Sequence, residues 1–172
     1  MAKKPLSVIV LCFFFLSLAF AGETVVNIAP YSFQNVNVDS ENYGSCYGFA
    51  LSAGYRHGIW KGLSVGGDIE YSVYRYRQLE KAYNVVGVTA DADWTFRFAT
   101  AMYADAGLGL GFEERIIGTV SAGAFCMKIY GNFAYGFNER IAATAGLDLR
   151  MAFQKGSSDF SVVPSLGARV TL

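Results

Sequence analysis

Beyond residue 21 the chain has no apolar run long enough to cross a bilayer as a helix. Alternating strands are then its only route into a membrane. It has no charge of one sign in excess either. Lys plus Arg and Asp plus Glu number 14 each, which excludes the basic footprint of a nucleic-acid binder and an acidic tail. Histidine occurs once, as His57, which leaves a single imidazole for any catalytic base. There are 3 prolines, and no linker, low-complexity tract or long-period repeat divides the chain. Of 3 cysteines, Cys12 lies in the N-terminal apolar run, leaving Cys46 and Cys126.

What is present begins with an export signal. Lys3 and Lys4 precede the apolar run Val8 to Phe20, and Ala19-Phe20-Ala21 fits the small-x-small cleavage pattern. Residues 1–21 are read as a signal peptide, because the run is too short for a retained membrane anchor. Leu11 before Cys12 is too large for a lipoprotein site. Removal leaves 151 residues (172 less 21), 22–172, enough for one domain.

That domain alternates. From Val85 to Phe98 the even positions are apolar (Val86, Val88, Ala90, Ala92, Trp94, Phe96, Phe98), while the odd ones carry Asp91, Asp93, Thr95 and Arg97. This is a strand period with opposite chemistry on its two faces. The same split places strands at about 24–34, 46–57, 62–76, 83–98, 101–114, 121–137, 140–154 and 161–172. Only the first is ambiguous, since ETVVNIAPYSF supports either phase. The expectation is an all-β fold, an eight-stranded antiparallel up-and-down transmembrane β-barrel. A soluble barrel would reverse the faces, but the polar faces here hold few charges among Gly, Ala, Ser and Thr, which suits a narrow lumen.

Aromatics bunch at both sets of strand ends: Tyr55, Trp60, Trp94, Phe96, Phe98, Phe133, Tyr135 and Phe137 at one, Tyr47, Phe49, Tyr71, Phe112 and Phe153 at the other. Two girdles are expected where a barrel wall meets the membrane interfaces. His57–Lys61, Arg97–Ala101 and Asn138–Arg140 read as short periplasmic turns. Asn35–Ser45, Tyr76–Ala82, Glu114–Val120 and Gln154–Asp159 read as longer outer loops.

An export signal, eight alternating strands and an apolar C-terminal strand together resemble the OmpA/OmpX-type small outer-membrane barrels. The resemblance spans the mature chain and rests on pattern. It implies the outer membrane of a diderm bacterium, both termini in the periplasm, outer-membrane lipids as surroundings, and the barrel-assembly machinery as a partner of the last strand. That family commonly ends on Phe where this chain ends on Leu172, although Leu166, Ala168, Val170 and Leu172 keep the phase. No extracellular ligand is named by the sequence.

The candidate site is the lumen charge network: Arg56, Asp68, Glu70, Asp91, Asp93, Arg97, Asp105, Lys128, Asp148, Arg150 and Arg169. Register counting sets an acidic wall (Asp68, Glu70, Asp91, Asp93) against a basic one (Lys128, Arg150, Arg169), with Asp148 near Arg169 and Lys128 and Asp105 near Lys128. The network is read as a plug, giving a structural or surface-interaction protein with a largely closed lumen. The alternatives are a narrow channel for small solutes or amphipathic molecules whose pairs exchange partners, and a divalent-cation site among the four carboxylates. No cofactor or metal is expected. A lipid-modifying enzyme is the remaining alternative, yet no recognised motif surrounds Ser52 or Ser64 near His57, and the chain is read as a non-enzyme. Cys46 and Cys126, on strands 2 and 6, are either bridged by an inward swing or free buried thiols.

Overall fold

The computed structural model describes residues 22–38, 41–76 and 82–172. The leader, with Lys3, Lys4, Cys12 and the cleavage pattern, lies outside the described residues, as do 39–40 and 77–81. Eight strands follow in chain order: β1 (Glu23–Val38), β2 (Glu41–Trp60), β3 (Leu63–Tyr76), β4 (Ala82–Arg97), β5 (Met102–Ile117), β6 (Val120–Gly136), β7 (Ile141–Gln154) and β8 (Ser157–Thr171). Each pairs antiparallel with the next, and β8 returns to β1 to close the barrel. The seam includes Glu23 opposite Thr171, beside a 2.9 Å bond from the Leu172 N–H to the Gly22 carbonyl.

The register sets the shape. Paired positions run from Val25 through Gly54, Asp68, Thr89, Gly111, Cys126, Ala152 and Asp159 to Val36, eleven residues along β1 from the start. One of these is a bulge residue, so the effective stagger is ten. At about 3.3 Å per residue and about 4.8 Å between strands, that stagger over eight strands tilts them by about 40° from the axis, in the range of small barrels.

Exposure is inverted relative to a water-soluble protein. Leu108, Phe112, Ile129 and Leu166 are 61%, 71%, 60% and 62% exposed, whereas Glu70, Asp91, Lys128 and Arg150 are only 4–6% exposed. Charges therefore point inward and large apolar side chains outward, the arrangement that suits lipid outside. The outward set includes the aromatics at both ends, among them Trp60 and Phe137 at the end carrying the termini and Phe112 and Tyr71 at the far end.

The double phase of the first strand has a physical cause. Val25 and Ala29 are buried with Ile28 exposed, but past Pro30 and Tyr31 the buried residues are Ser32, Gln34 and Val36. The register shifts by one residue here against both neighbours, between Ala29 and Ser32 on the β2 side and between Ile28 and Phe33 on the β8 side. A bulge carries an unpaired residue, and proline, lacking an N–H, fits where a ladder bond is lost. Both phases are correct, one on each side of the bulge.

Two of the longer outer loops are corrected, while the loop read at Tyr76–Ala82 lies largely outside the described residues. Glu114–Val120 reduces to the two-residue turn Gly118–Thr119, and Gln154–Asp159 to Lys155–Gly156. Gly118 supplies φ +62° at the first central position of its hairpin turn, a conformation glycine adopts freely. Glu114, Arg115, Ser158 and Asp159 look like loop residues by polarity, but they belong to strands that run on to these tight turns. Loop length consequently does not distinguish the two ends. Leu149, 38% exposed between Ile129 and Val162, lies on the outward face. Leu149→Arg is expected to destabilise the lipid-inserted barrel by about 2 to 4 kcal/mol, measured by denaturant unfolding in liposomes of fixed composition. Tolerance equal to that of a turn substitution would mean the faces are reversed.

Candidate functional site: the lumen charge network

Strand alternation brings the inward charges together in four groups along the axis. In the middle, Arg56 on β2 binds Asp68 through two bonds of 3.0 and 2.9 Å and also reaches Asp91 at 3.1 Å and Asp93 at 2.9 Å. Lys128, from β6 on the opposite wall, joins Asp68 and lies 3.1 Å from Asp91. The Tyr130 hydroxyl donates to Asp93 at 3.0 Å, and its ring lies 5.6 Å from the Arg56 guanidinium and 5.0 Å from the Lys128 ammonium. Planar guanidinium chemistry suits Arg56 to three carboxylates, while the compact ammonium of Lys128 completes the cross-lumen bridge.

Glycines on β5 make room for this crossing. A Cβ on Gly109 would lie 2.6 Å from Lys128 Cε, and one on Gly107 would lie 2.6 Å from the Tyr130 hydroxyl. The side chains from β6 thus lie over bare backbone of the neighbouring strand.

Toward the far end, Arg150 on β7 clasps both oxygens of Glu70 on β3, across the lumen, and Ser72 donates to Glu70 at 2.7 Å. Beyond it Arg115 pairs with Glu113 at 2.7 Å and with Asp159 at 2.5 Å. Gln34 donates to Asp159 at 2.9 Å and accepts from Tyr83. At the terminal end Arg169 pairs with Asp105 and, at 3.0 Å, with Glu23, while Thr95 donates to Asp105 at 2.7 Å.

Three placements differ from the sequence reading. Asp148, opposite Tyr130 and Val163, lies beside Lys128 and lines one small void with Lys128 and Arg169, but among the described residues it forms an ion pair with neither. Asp105 meets Arg169 instead of Lys128. The cause is register: replacing assumed loops by two-residue turns slides β6 along β5 and β8 along β7. Arg97, counted with the lumen, is exposed at the end of β4, where it lines a vestibule of about 620 Å³. It keeps the inward phase opposite Tyr103, but β4 ends at that residue.

Glu113, Arg115, Asp159, Glu23 and Tyr130 were missed as members. Continuing the odd phase of β5 through Glu113 and Arg115 was the available signal. Cys46 and Cys126 are buried and not bridged to one another, the first near Gln34 and Tyr83, the second clustered with Ala124 and Ala152. Between the groups the lumen retains two voids of about 10 Å³, each the size of one water, and both are lined by Asp68, Lys128 and Asp148. Among the described residues no set of three or more His, Cys, Asp or Glu side chains is arranged to hold a metal.

No protein-family model matches the sequence, and no curated protein matches it. Among solved structures, the barrel is similar to Neisserial surface protein A, with 14% identity and a TM-score of 0.67 over 88% of this chain and 97% of that one. It is also similar to Ail, the attachment invasion locus protein of Yersinia pestis, in its complex with the heparin analogue sucrose octasulfate. There the identity is 14% and the TM-score 0.51, over 87% of this chain and 99% of Ail. The likeness is one of fold: this chain has the eight-stranded architecture of small outer-membrane barrels.

The pairings can be tested by double-mutant cycles in one lipid. Arg150→Ala leaves Glu70 buried without its cation and is expected to cost about 3 to 5 kcal/mol. Adding Glu70→Ala should cost clearly less than the sum of the two single changes. Asp105 with Arg169 should behave in the same way, whereas Asp148→Ala with Arg169→Ala should be additive. Additivity for Glu70 and Arg150 would remove that contact from the network.

Proposed function

We propose that the protein is exported by cleavage after Ala21 to the outer membrane of a diderm bacterium. There residues 22–172 serve as a structural or surface-interaction barrel whose lumen is closed by ion pairs. In this reading the terminal end faces the periplasm and the far end faces outward. An even number of strands puts both termini on one side, and a chain that enters from the periplasm behind an N-terminal leader leaves them there. Outer-membrane lipids surround the exposed apolar band, and β8, apolar in phase through Leu172, is presented to the assembly machinery. Two proteins of the same fold bear names that place them at a cell surface, Neisserial surface protein A and the attachment invasion locus protein.

The observation that carries the closed lumen is the crossing of Lys128 and Arg150 from β6 and β7 to Asp68 and Glu70 on β3. In a barrel this narrow, two such bridges and the Tyr130 ring fill the section that solute would use. Catalysis is not part of the proposal. His57 pairs in register with the exposed Val65, whereas Ser52 and Ser64 lie opposite buried Glu70 and Asp93. A base and its candidate nucleophiles therefore sit on opposite faces of one sheet, out of hydrogen-bond reach.

A second reading, a narrow channel, is favoured by one observation. Asp148 lines both water-sized voids beside Lys128 without an ion-pair partner among the described residues. An unused carboxylate beside the central bridge gives Lys128 an alternative partner. Planar-bilayer recording separates the two. The closed reading expects no conductance steps from the wild-type protein and steps from Lys128→Ala combined with Arg150→Ala. Steady wild-type conductance that Asp148→Asn abolishes would establish the channel instead.

A further inference from the structure

At the end that carries the termini the lumen opens into the vestibule of about 620 Å³ that Arg97 lines. A concave space of about 300 to 1,000 Å³ is the size in which proteins hold small ligands. Its floor is electrically satisfied. Arg56 is held by Asp68, Asp91 and Asp93, and Arg169 by Asp105 and Glu23, with the Arg169 guanidinium 5.2 Å from the centre of the Tyr103 ring. The mouth is not. Arg97 and Arg140 both line the space, both are exposed, and neither has an ion-pair partner among the described residues.

Backbone bonds fix where these two side chains start. The Gly136 N–H donates to the Ala101 carbonyl at 2.7 Å, which ties the β6–β7 turn to the β4–β5 turn that follows Arg97. The Thr171 N–H donates to the Arg140 carbonyl at 2.8 Å, and Asn138 Oδ1 accepts from the N–H groups of Arg140 and Ile141, both at 2.8 Å. Arg140 thus leaves a turn braced on two sides, while Arg97 leaves the last inward position of β4, opposite Tyr103. The hydroxyls of Ser64, Thr100 and Thr171 line the same space. Glu139 adds one exposed carboxylate, also without an ion-pair partner among the described residues.

We propose that this vestibule binds a small hydroxylated phosphate ester, of the size of a sugar phosphate, with Arg97 and Arg140 on the phosphate. The proposal rests on the reading that the terminal end faces the periplasm, from which the ligand would come. Guanidinium groups match phosphate oxygens in geometry and stay charged at any physiological pH. Because the deeper arginines are already engaged by carboxylates, a phosphate gains most at the mouth. Glu139 repels a second phosphate and accepts from a hydroxyl, which favours a hydroxylated monoester over a polyphosphate.

The probe is glucose 6-phosphate, titrated into the full mature protein in phosphatidylcholine nanodiscs and followed by NMR. Saturable shifts are expected at the amides of Ala101, Glu139 and Arg140, and none at the turn Gly118–Thr119. Arg97→Gln and Arg140→Gln should each weaken binding several-fold, and together they should abolish it. Both residues stand outside the ion-pair groups, so these variants should keep heat-modifiable migration. Lys61→Gln removes an exposed cation at the same end but outside the cavity, and it should change nothing. Glucose should not bind, and inorganic phosphate should bind several-fold more weakly than the ester. Glu139→Gln should narrow that difference. Replacing part of the phosphatidylcholine by phosphatidylglycerol should leave the affinity as it was.

The absence of a saturable shift in a folded barrel overturns the proposal. So does equal weakening by Lys61→Gln, which would reduce the binding to net charge, and so does inorganic phosphate bound as tightly as the ester. Competition by phosphatidylglycerol overturns it as well, since the two arginines would then serve lipid headgroups. Orientation is read separately. Lys61→Cys, in a chain whose Cys46 and Cys126 are buried, should react with a membrane-impermeant thiol reagent only after the outer membrane is permeabilised. Labelling in intact cells would overturn the periplasmic orientation, and with it the source of the ligand, whatever the titration shows.

Discussion

Closure of the sheet in a medium without water is the constraint on which the rest depends. Every backbone N–H and C=O in the apolar band needs a partner from within the chain, and eight strands joined edge to edge supply the ladders that provide them, broken at the bulge around Pro30 and Tyr31. Eight strands with an effective stagger of ten also fix the bore, which at this strand number is just wide enough for side chains to fill. Charges placed on the inner face then have few neighbours other than one another. The pairing of Arg56 with three aspartates, and of Arg150 with Glu70, follows from confinement as much as from attraction.

This confinement explains why small residues matter inside. Lys128 and Tyr130 can lie across β5 because Gly109 and Gly107 offer backbone where other residues would offer a side chain. The cationic groups against the Tyr130 ring replace part of the hydration they lose on burial. The inner face is thus a packed polar core in which shape complementarity and charge complementarity are the same requirement, since a misplaced side chain loses both its volume and its partner.

Much of the wall was legible in the sequence. The run Val85–Phe98 declares its two faces because β4 is regular from end to end and each face meets a different medium. β1 was illegible as a single strand, since the bulge at Pro30 and Tyr31 reverses its phase and local periodicity carries no mark of where the reversal falls. The inward charges of β2 to β8 could be named from alternation, but their partners could not. Partnership depends on register, and register depends on whether polar residues such as Glu114 and Ser158 belong to a turn or to the continuing strand. The missing pair between Asp148 and Arg169 and the overlooked Arg115 share that origin. Arg97 keeps the inward phase opposite Tyr103 and lines the mouth of the lumen, but as the last residue of its strand it stands exposed and outside the ion-pair groups.

The seam between Glu23 and Thr171 has a consequence for how the molecule comes into being. Seven of the eight interstrand ladders join neighbours in sequence, so each can form as a hairpin soon after its turn. The eighth joins residues at opposite ends of the chain and carries nearly all of the loop-closure entropy. Until it forms, β1 and β8 present two unsatisfied edges that lipid cannot solvate, so a half-made barrel is not a stable inhabitant of the membrane. Insertion and closure must then proceed as one event, or with another sheet edge temporarily standing in for the missing strand.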